Sequence, residues 1–306
     1  MLRTALLWAS KNPFLANRLP TYGFVRRATS RFMPGETLDD ALREAARLKE
    51  QGAPTTFTLL GENVTTPAEA DAVADHYLAV LEAVRARGLD TEVSVKPTQL
   101  GLDLGPTEAR RRLERIVRAC DPGSLVWVDI ESSAYVDPTL ELFRGVREDH
   151  ENVGLCLQAY LYRTEKDLES LLPLRPAIRL VKGAYKEPPG IAFPKKSDVD
   201  RNFVRLAGTM LRARREGRGG RPVMGTHDPR MIAEAGRLAH ELGLAKDAWE
   251  VAMLYGIKTA EQERLVRTGH SVRVLVAYGT HWFPWYMRRL AERPANVWFV
   301  VKQLVG

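Results

Sequence analysis

Cysteine is scarce in this sequence: Cys120 and Cys156 are the only two, too few for a disulfide framework. Their apolar surroundings, Val117-Arg118-Ala119-Cys120 and Leu155-Cys156-Leu157, read as reduced, buried thiols and a cytoplasmic compartment. No apolar run reaches the roughly 18 residues that a membrane span requires. The six histidines (His76, His150, His227, His240, His270 and His281) lack paired ligand spacing, so no metal is expected. The nucleophile turn of a Ser-His-Asp hydrolase is missing as well. Acidic residues are absent from the first 35 positions, which carry six Lys or Arg. Such a segment fits an organelle transit peptide or a basic region touching anionic lipid. Pro13, Pro20 and Pro34 break it into short pieces, so it reads as part of the mature protein. Peripheral contact with the inner membrane face stays open.

The net charge is +7, and the densest basic stretch is Arg212-Ala213-Arg214-Arg215-Glu216-Gly217-Arg218-Gly219-Gly220-Arg221. That stretch falls at an expected helix C-terminus and its exit loop, where cations complement the helix dipole. No recognition-helix, zinc-finger or RNA-binding signature accompanies it, and nucleic acid is not an expected partner.

With 306 residues and 45% hydrophobic content the chain can bury a large core, and its length suits one α/β barrel. Thr37 caps a helix over Leu38–Gln51 that places Leu38, Ala41, Leu42, Ala45 and Leu48 on one face and stops at Gly52. Thr66-Pro67-Ala68-Glu69 is a capping box with proline at the first helical position, and Gly88 ends that helix. Asp228-Pro229 and Thr259-Ala260-Glu261 open two more.

Between helices lie eight short runs that read as strands: Thr55–Leu60, Glu92–Lys96, Leu125–Ile130, Val153–Ala159, Ile178–Lys182, Pro222–Thr226, Trp249–Leu254 and Val272–Ala277. Several are nearly continuous in apolar or β-branched residues, as in parallel strands buried on both faces. Eight such units predict an α/β fold of the (βα)8 TIM-barrel type. A doubly wound open sheet is the alternative. It is weakened because Leu60-Gly61-Glu62-Asn63, not a glycine-rich fingerprint, follows the first strand. Residues 1–52 form an N-terminal helical region and 53–306 the barrel, one domain overall.

Chemistry in such a barrel sits where strands end. Those ends carry Glu62, Lys96, Asp129 with Glu131, Gln158, Arg179 with Lys182, Thr226 with His227, and Leu254, followed by a helix bearing Arg288 and Arg289. Lys96 and Asp129 could be a structural salt bridge, His227 part of a helix cap, Gln158 a satisfied core amide. Arg288 and Arg289 alone would read as a solvated helix face. Together these residues form a polar, mostly cationic floor beneath an arginine pair. That suits a carboxylate substrate and an electron-rich cofactor with phosphates.

Arg179-Leu180-Val181-Lys182-Gly183-Ala184-Tyr185, Gly225-Thr226-His227-Asp228 and Tyr286-Met287-Arg288-Arg289-Leu290-Ala291-Glu292 resemble the bacterial proline dehydrogenases. Val95-Lys96-Pro97-Thr98-Gln99-Leu100-Gly101, Val128-Asp129-Ile130-Glu131 and Leu157-Gln158-Ala159-Tyr160 extend the resemblance, in chain order, from about residue 30 to the end. It implies a distorted (βα)8 barrel with FAD held non-covalently over the strand ends and a final helix across the mouth. It also implies oxidation of L-proline, a small imino acid, to 1-pyrroline-5-carboxylate, with electrons passed to membrane quinone.

Carried onto this sequence, the resemblance makes Arg288 and Arg289 the clamp on the substrate carboxylate. Lys96 and Asp129 become an ion pair at the substrate's edge, and Arg179 stabilises the reduced flavin. Gln158, Lys182, Gly183, Ala184 and Ile130 would hold the isoalloxazine; Thr226 and His227 would reach the adenosine half. Tyr185, Leu254, Leu275 and Trp285 would line the substrate pocket, and Glu62 would pair with Arg288 as a gate. Three positions depart from the family pattern: Leu275 and Trp285 stand where tyrosines are expected, and Ala252 replaces a glutamine. A flavoenzyme for a proline analogue or another secondary amino acid is therefore an alternative. A Schiff-base aldolase using Lys182 or Lys96 is a second, and a non-catalytic barrel a third.

Overall fold

The computed structural model describes Thr29, residues 31–283 and residues 285–287. Eight parallel strands close into a barrel in sequence order: β1 (Thr55–Leu59), β2 (Thr91–Val95), β3 (Val126–Val128), β4 (Val153–Gln158), β5 (Ala177–Val181), β6 (Pro222–Gly225), β7 (Glu250–Leu254) and β8 (Ser271–Tyr278). Closure is by β8 on β1, with Thr55 opposite Val274 and Leu59 opposite Tyr278. Strand bounds lie within two residues of those read from the sequence.

The helices are α1 (Leu38–Glu50), α2 (Pro67–Ala86), α3 (Pro106–Ala119), α4 (Val136–Arg147), α5 (Thr164–Leu171), α6 (Lys196–Arg215), α7 (Pro229–Glu241) and α8 (Thr259–Arg267). From α2 onward, one follows each of the first seven strands. The Thr37 cap and the Thr66 capping box form as expected, each threonine hydroxyl accepting from the backbone N–H three residues on, and Thr37 completes a box with Asp40 as well. Helix α1 precedes the barrel and packs against β1 and β8. Its buried Ala41, Leu42, Ala45 and Leu48 join the barrel's own hydrophobic core. Residues 1–28 and 30 of the expected N-terminal helical region, and the expected final helix beyond Met287, lie outside the described residues.

The strands' two faces differ in chemistry. Phe57, Val93, Val95, Val126, Val128, Leu155, Leu180, Val251 and Val274 alternate along the strands and pack with helix residues such as Leu113, Phe143 and Phe203. Period-two alternation sends the intervening residues into the lumen. There the usual apolar layers are partly replaced by ions. At the N-terminal end of the strands, buried Arg273 donates to Glu250 at 3.2 Å, to Asp90 at 3.0 Å and to the Thr55 carbonyl at 3.0 Å. Arg221 pairs with buried Glu92. Each buried charge thus meets an opposite one, as burial of ions requires.

Candidate active site

Exposure rises at the C-terminal ends of the lumen-facing rows. Lys96, Asp129, Leu254 and Leu275 are half-buried while the residues beside them in the strands are buried, so they line an open mouth, and Lys182 just past β5 is half-buried too. Arg179 lies deeper, 4% exposed, with Asp129 just past β3 accepting its Nη2 proton. Ser94 completes a triangle, its hydroxyl donating to Asp129 at 2.9 Å and accepting from Arg179 at 2.8 Å. Burial by itself pulls the Arg179 pKa down; the Asp129 carboxylate, Cys156 and Glu92 together outweigh it, and the guanidinium is held more firmly charged than usual.

The expected Lys96–Asp129 ion pair does not form among the described residues; Asp129 pairs with Arg179. The lumen geometry explains this, because Ser94 and Arg179 converge on the same oxygen of Asp129 from inside the barrel. Lys96, just past β2, instead acts electrostatically on Glu131. That carboxylate is pushed above its usual pKa by burial, opposed by hydrogen bonds from the Thr98 backbone (3.0 Å) and hydroxyl (2.8 Å). Glu131 ties the loop after β2 to the end of β3, and its own carbonyl accepts from Gln158 at 2.8 Å.

Gln158 is buried and its amide is fixed. Its Nε2 donates to the carbonyls of Ile130 (3.3 Å) and Glu131 (2.8 Å), leaving Oε1 buried without a partner. Gly183, at φ +122°, lies against the ring of Tyr160; a Cβ there would stand 2.3 Å from Tyr160 Cδ1. No other residue lets the chain after β5 lie this close. Gly183 and Ala184 are exposed at the mouth and Tyr185 is half-buried beside them.

On the β6 side, buried Thr226 accepts the Asp228 N–H at 3.2 Å, and the Leu254 N–H donates to His227 Nε2 at 2.8 Å. That bond fixes the tautomer, placing the ring proton on Nδ1. Lys182 is gripped by Asp200 and, at 3.3 Å, by Asp228. Burial raises the Asp228 pKa, but hydrogen bonds from Arg230 and Lys182 bring it far below the usual range. Asp228 also caps α7 through the Arg230 N–H, so capping and ion pairing share one carboxylate.

Leu275 and Trp285 pack in one cluster with Phe32, Met33, Trp282 and Tyr286, alongside Ile257. Leu254 pairs with Leu275 across β7 and β8. Ala252 packs on Trp127, Ala177 and Val223 within the lumen. Glu62 is half-buried in the loop after β1. Arg288 and Arg289 lie outside the described residues. Sequence reasoning missed Ser94 and Trp127, which carry no charge and lie inside strands, and read no role for Tyr160 beyond its place in a motif.

The profile of the family described as "Proline dehydrogenase" matches residues 41–302. The chain belongs to the proline dehydrogenase family. Proline dehydrogenase 1 of Bacillus subtilis strain 168 is 36% identical over 306 residues, spanning 100% of this chain and 99% of that protein. The proline dehydrogenase of Deinococcus radiodurans is 39% identical over 284 residues, 90% of this chain and 89% of that one. Among solved structures, proline utilization A (PutA) from Bdellovibrio bacteriovorus, inactivated by N-propargylglycine, superposes with a TM-score of 0.82 at 23% identity. It covers 95% of this chain but this chain spans only 36% of it, and the likeness speaks for the barrel fold alone. Family membership makes the protein a proline dehydrogenase-type enzyme and removes the aldolase and non-catalytic readings. The engagement of Lys182 with two carboxylates agrees.

Proposed function

We propose that the protein oxidises L-proline to 1-pyrroline-5-carboxylate with non-covalent FAD and passes the electrons to a quinone. The observation that carries the cofactor is Gln158. Its orphaned, buried Oε1 is an acceptor fixed at the barrel mouth, complementary to a ring N–H of a flavin. Exposed backbone at Gly183 and Ala184 adjoins it, and the residues present fit the group. FAD, when bound, accepts the hydride from the carbon beside the ring nitrogen of proline.

The chain's own residues supply position and field. Gln158, Ile130, Lys182, Gly183 and Ala184 hold the isoalloxazine; Thr226 and His227 reach the adenosine half. Arg179, kept charged by Asp129, stabilises negative charge that develops near it. Arg288 and Arg289 clamp the substrate carboxylate, Lys96 sits at the substrate's edge, and Glu62 pairs with Arg288 to close the site. Leu254, Leu275, Trp285 and Tyr185 shape the pocket and exclude water. The acid-free N-terminal segment supplies peripheral contact with an anionic membrane face, where quinone is met. No helix among the described residues is long and apolar enough to cross a membrane.

Purified protein is expected to show flavin absorption, to release FAD on denaturation, and to bleach when L-proline is added without oxygen. Recovery of FMN, or a colourless protein that cannot be reconstituted, removes the proposal.

Leu275 and Trp285 bear on the choice of substrate. Leucine is smaller than tyrosine and apolar; tryptophan is larger and keeps one donor. The pocket is therefore displaced, wider beside β8 and narrower near residue 285. We expect turnover of L-proline with weaker discrimination against ring-modified and N-substituted analogues. Leu275→Tyr with Trp285→Tyr should raise the preference for proline about 10-fold, within the range that small pocket changes command. Unchanged kcat/KM ratios in the double variant would show that these positions do not set specificity.

A further inference from the structure

Trp127 lies across the lumen immediately beneath the charged triangle. Its neighbours in register are Ser94 on β2 and Gly154 on β4. Gly154 is required by the indole, because a Cβ there would stand 2.7 Å from Trp127 Cε3. The indole Nε1 donates to Glu92 at 2.6 Å, which fixes the ring's edge. The Arg179 guanidinium carbon stands over the indole at 5.0 Å from its centroid and that of Arg221 at 5.5 Å. Arg179 reaches up to Asp129, past the end of β3, while Arg221 reaches down to Glu92 near the start of β2. The indole ring therefore meets two guanidiniums, each pinned by a carboxylate, one toward either end of the lumen.

We infer that Trp127 is a positioning residue for the flavin: its π face holds the Arg179 guanidinium level beneath the ring-binding floor. This rests on the proposed flavin chemistry. Asp129 and Ser94 fix Arg179 in the plane of its own hydrogen bonds but leave one face open to the lumen. An indole on that face, itself locked by Glu92 and Gly154, prevents the guanidinium from dropping into the barrel. A cation over a desolvated indole is attracted by the ring's quadrupole, and arginine stacks well because its guanidinium is flat and weakly hydrated. With Arg179 so held, its charge favours the reduced, anionic cofactor.

The test is the two-electron midpoint potential of the bound flavin, measured by dye equilibration on the holoenzyme. Tetrafluorotryptophan introduced at position 127 alone keeps the ring's shape and weakens its negative face. It should shift the reduction equilibrium about threefold, a fall of about 15 mV. Trp127→Leu should shift it about tenfold, a fall of about 30 mV. Val223→Ala, in the same lumen cluster without a π face, should leave the potential unchanged. An unchanged potential with the fluorinated residue overturns the inference, whether or not Trp127→Leu folds. So does a rise, which would mean that the indole merely screens the charge, or an equal fall with Val223→Ala. These failures leave a proline-reducible FAD protein in place; a parent protein without flavin would instead remove the proposed function itself.

Discussion

Replacing Arg289 with methionine is expected to lower kcat/KM for L-proline by about 30- to 1000-fold, equivalent to about 2–4 kcal/mol. The estimate follows from losing a charge-assisted, bidentate contact to the substrate carboxylate. Methionine keeps a long side chain that can fill the same volume, so the change isolates charge and hydrogen bonding. Arg179, Gln158 and His227 are untouched by it, and FAD content measured by absorbance should stay near that of the parent. Arg288→Met should weaken substrate less, since that residue also serves the gate with Glu62. Full turnover after neutralising both arginines would remove the clamp from the mechanism.

The arginine clamp rests on the resemblance carried by residues 286–292, and Arg288 and Arg289 themselves lie outside the described residues. The barrel was legible in the sequence itself. Its outward rows are apolar, its helix caps at Thr37 and Thr66 are readable from the residues, and both signals are local. Strand β3 shows where local signals stop. It was expected to run to Ile130 but ends at Val128. Beyond it the chain turns so that the Ile130 and Glu131 carbonyls can both accept from Gln158, 28 and 27 residues away.

Pairing across the lumen depends on that kind of long-range register. Arg221 reads in sequence as the end of a basic helix exit, yet it enters the barrel to meet Glu92, 129 residues away. Ser94 reads as one residue of a buried strand, yet it joins Asp129 and Arg179, 35 and 85 residues distant. Trp127 looks like strand core until barrel closure brings two guanidiniums to its ring. The Lys96–Asp129 pairing failed for the same reason: adjacent strand ends suggested it, and the closed lumen offered Asp129 a deeper partner.

That partnership makes Asp129→Asn the most consequential change predicted for the folded protein itself. Arg179 keeps 5% of its side-chain surface in water and Asp129 keeps 21%. Removing one member of a buried pair strands the other charge, which costs about 3–5 kcal/mol when both are fully buried. Because Asp129 retains some solvent and Ser94 still bonds Arg179, about 2–3 kcal/mol is expected here, after discounting that range. Urea unfolding of the flavin-free protein should report it as a lower midpoint at unchanged slope. Arg179→Met alone should also destabilise, by leaving Asp129 without its cation. The double variant Asp129→Asn with Arg179→Met should be more stable than the sum of the two losses implies, since neither charge is left behind. In the holoenzyme the sign for the cofactor reverses. An Arg179 charge no longer neutralised by Asp129 favours the anionic reduced flavin more strongly, so Asp129→Asn should raise the midpoint potential even as it weakens the fold. Strictly additive losses in the unfolding experiment would mean that the two residues are not energetically coupled, and that Arg179 draws its compensation from elsewhere in the lumen.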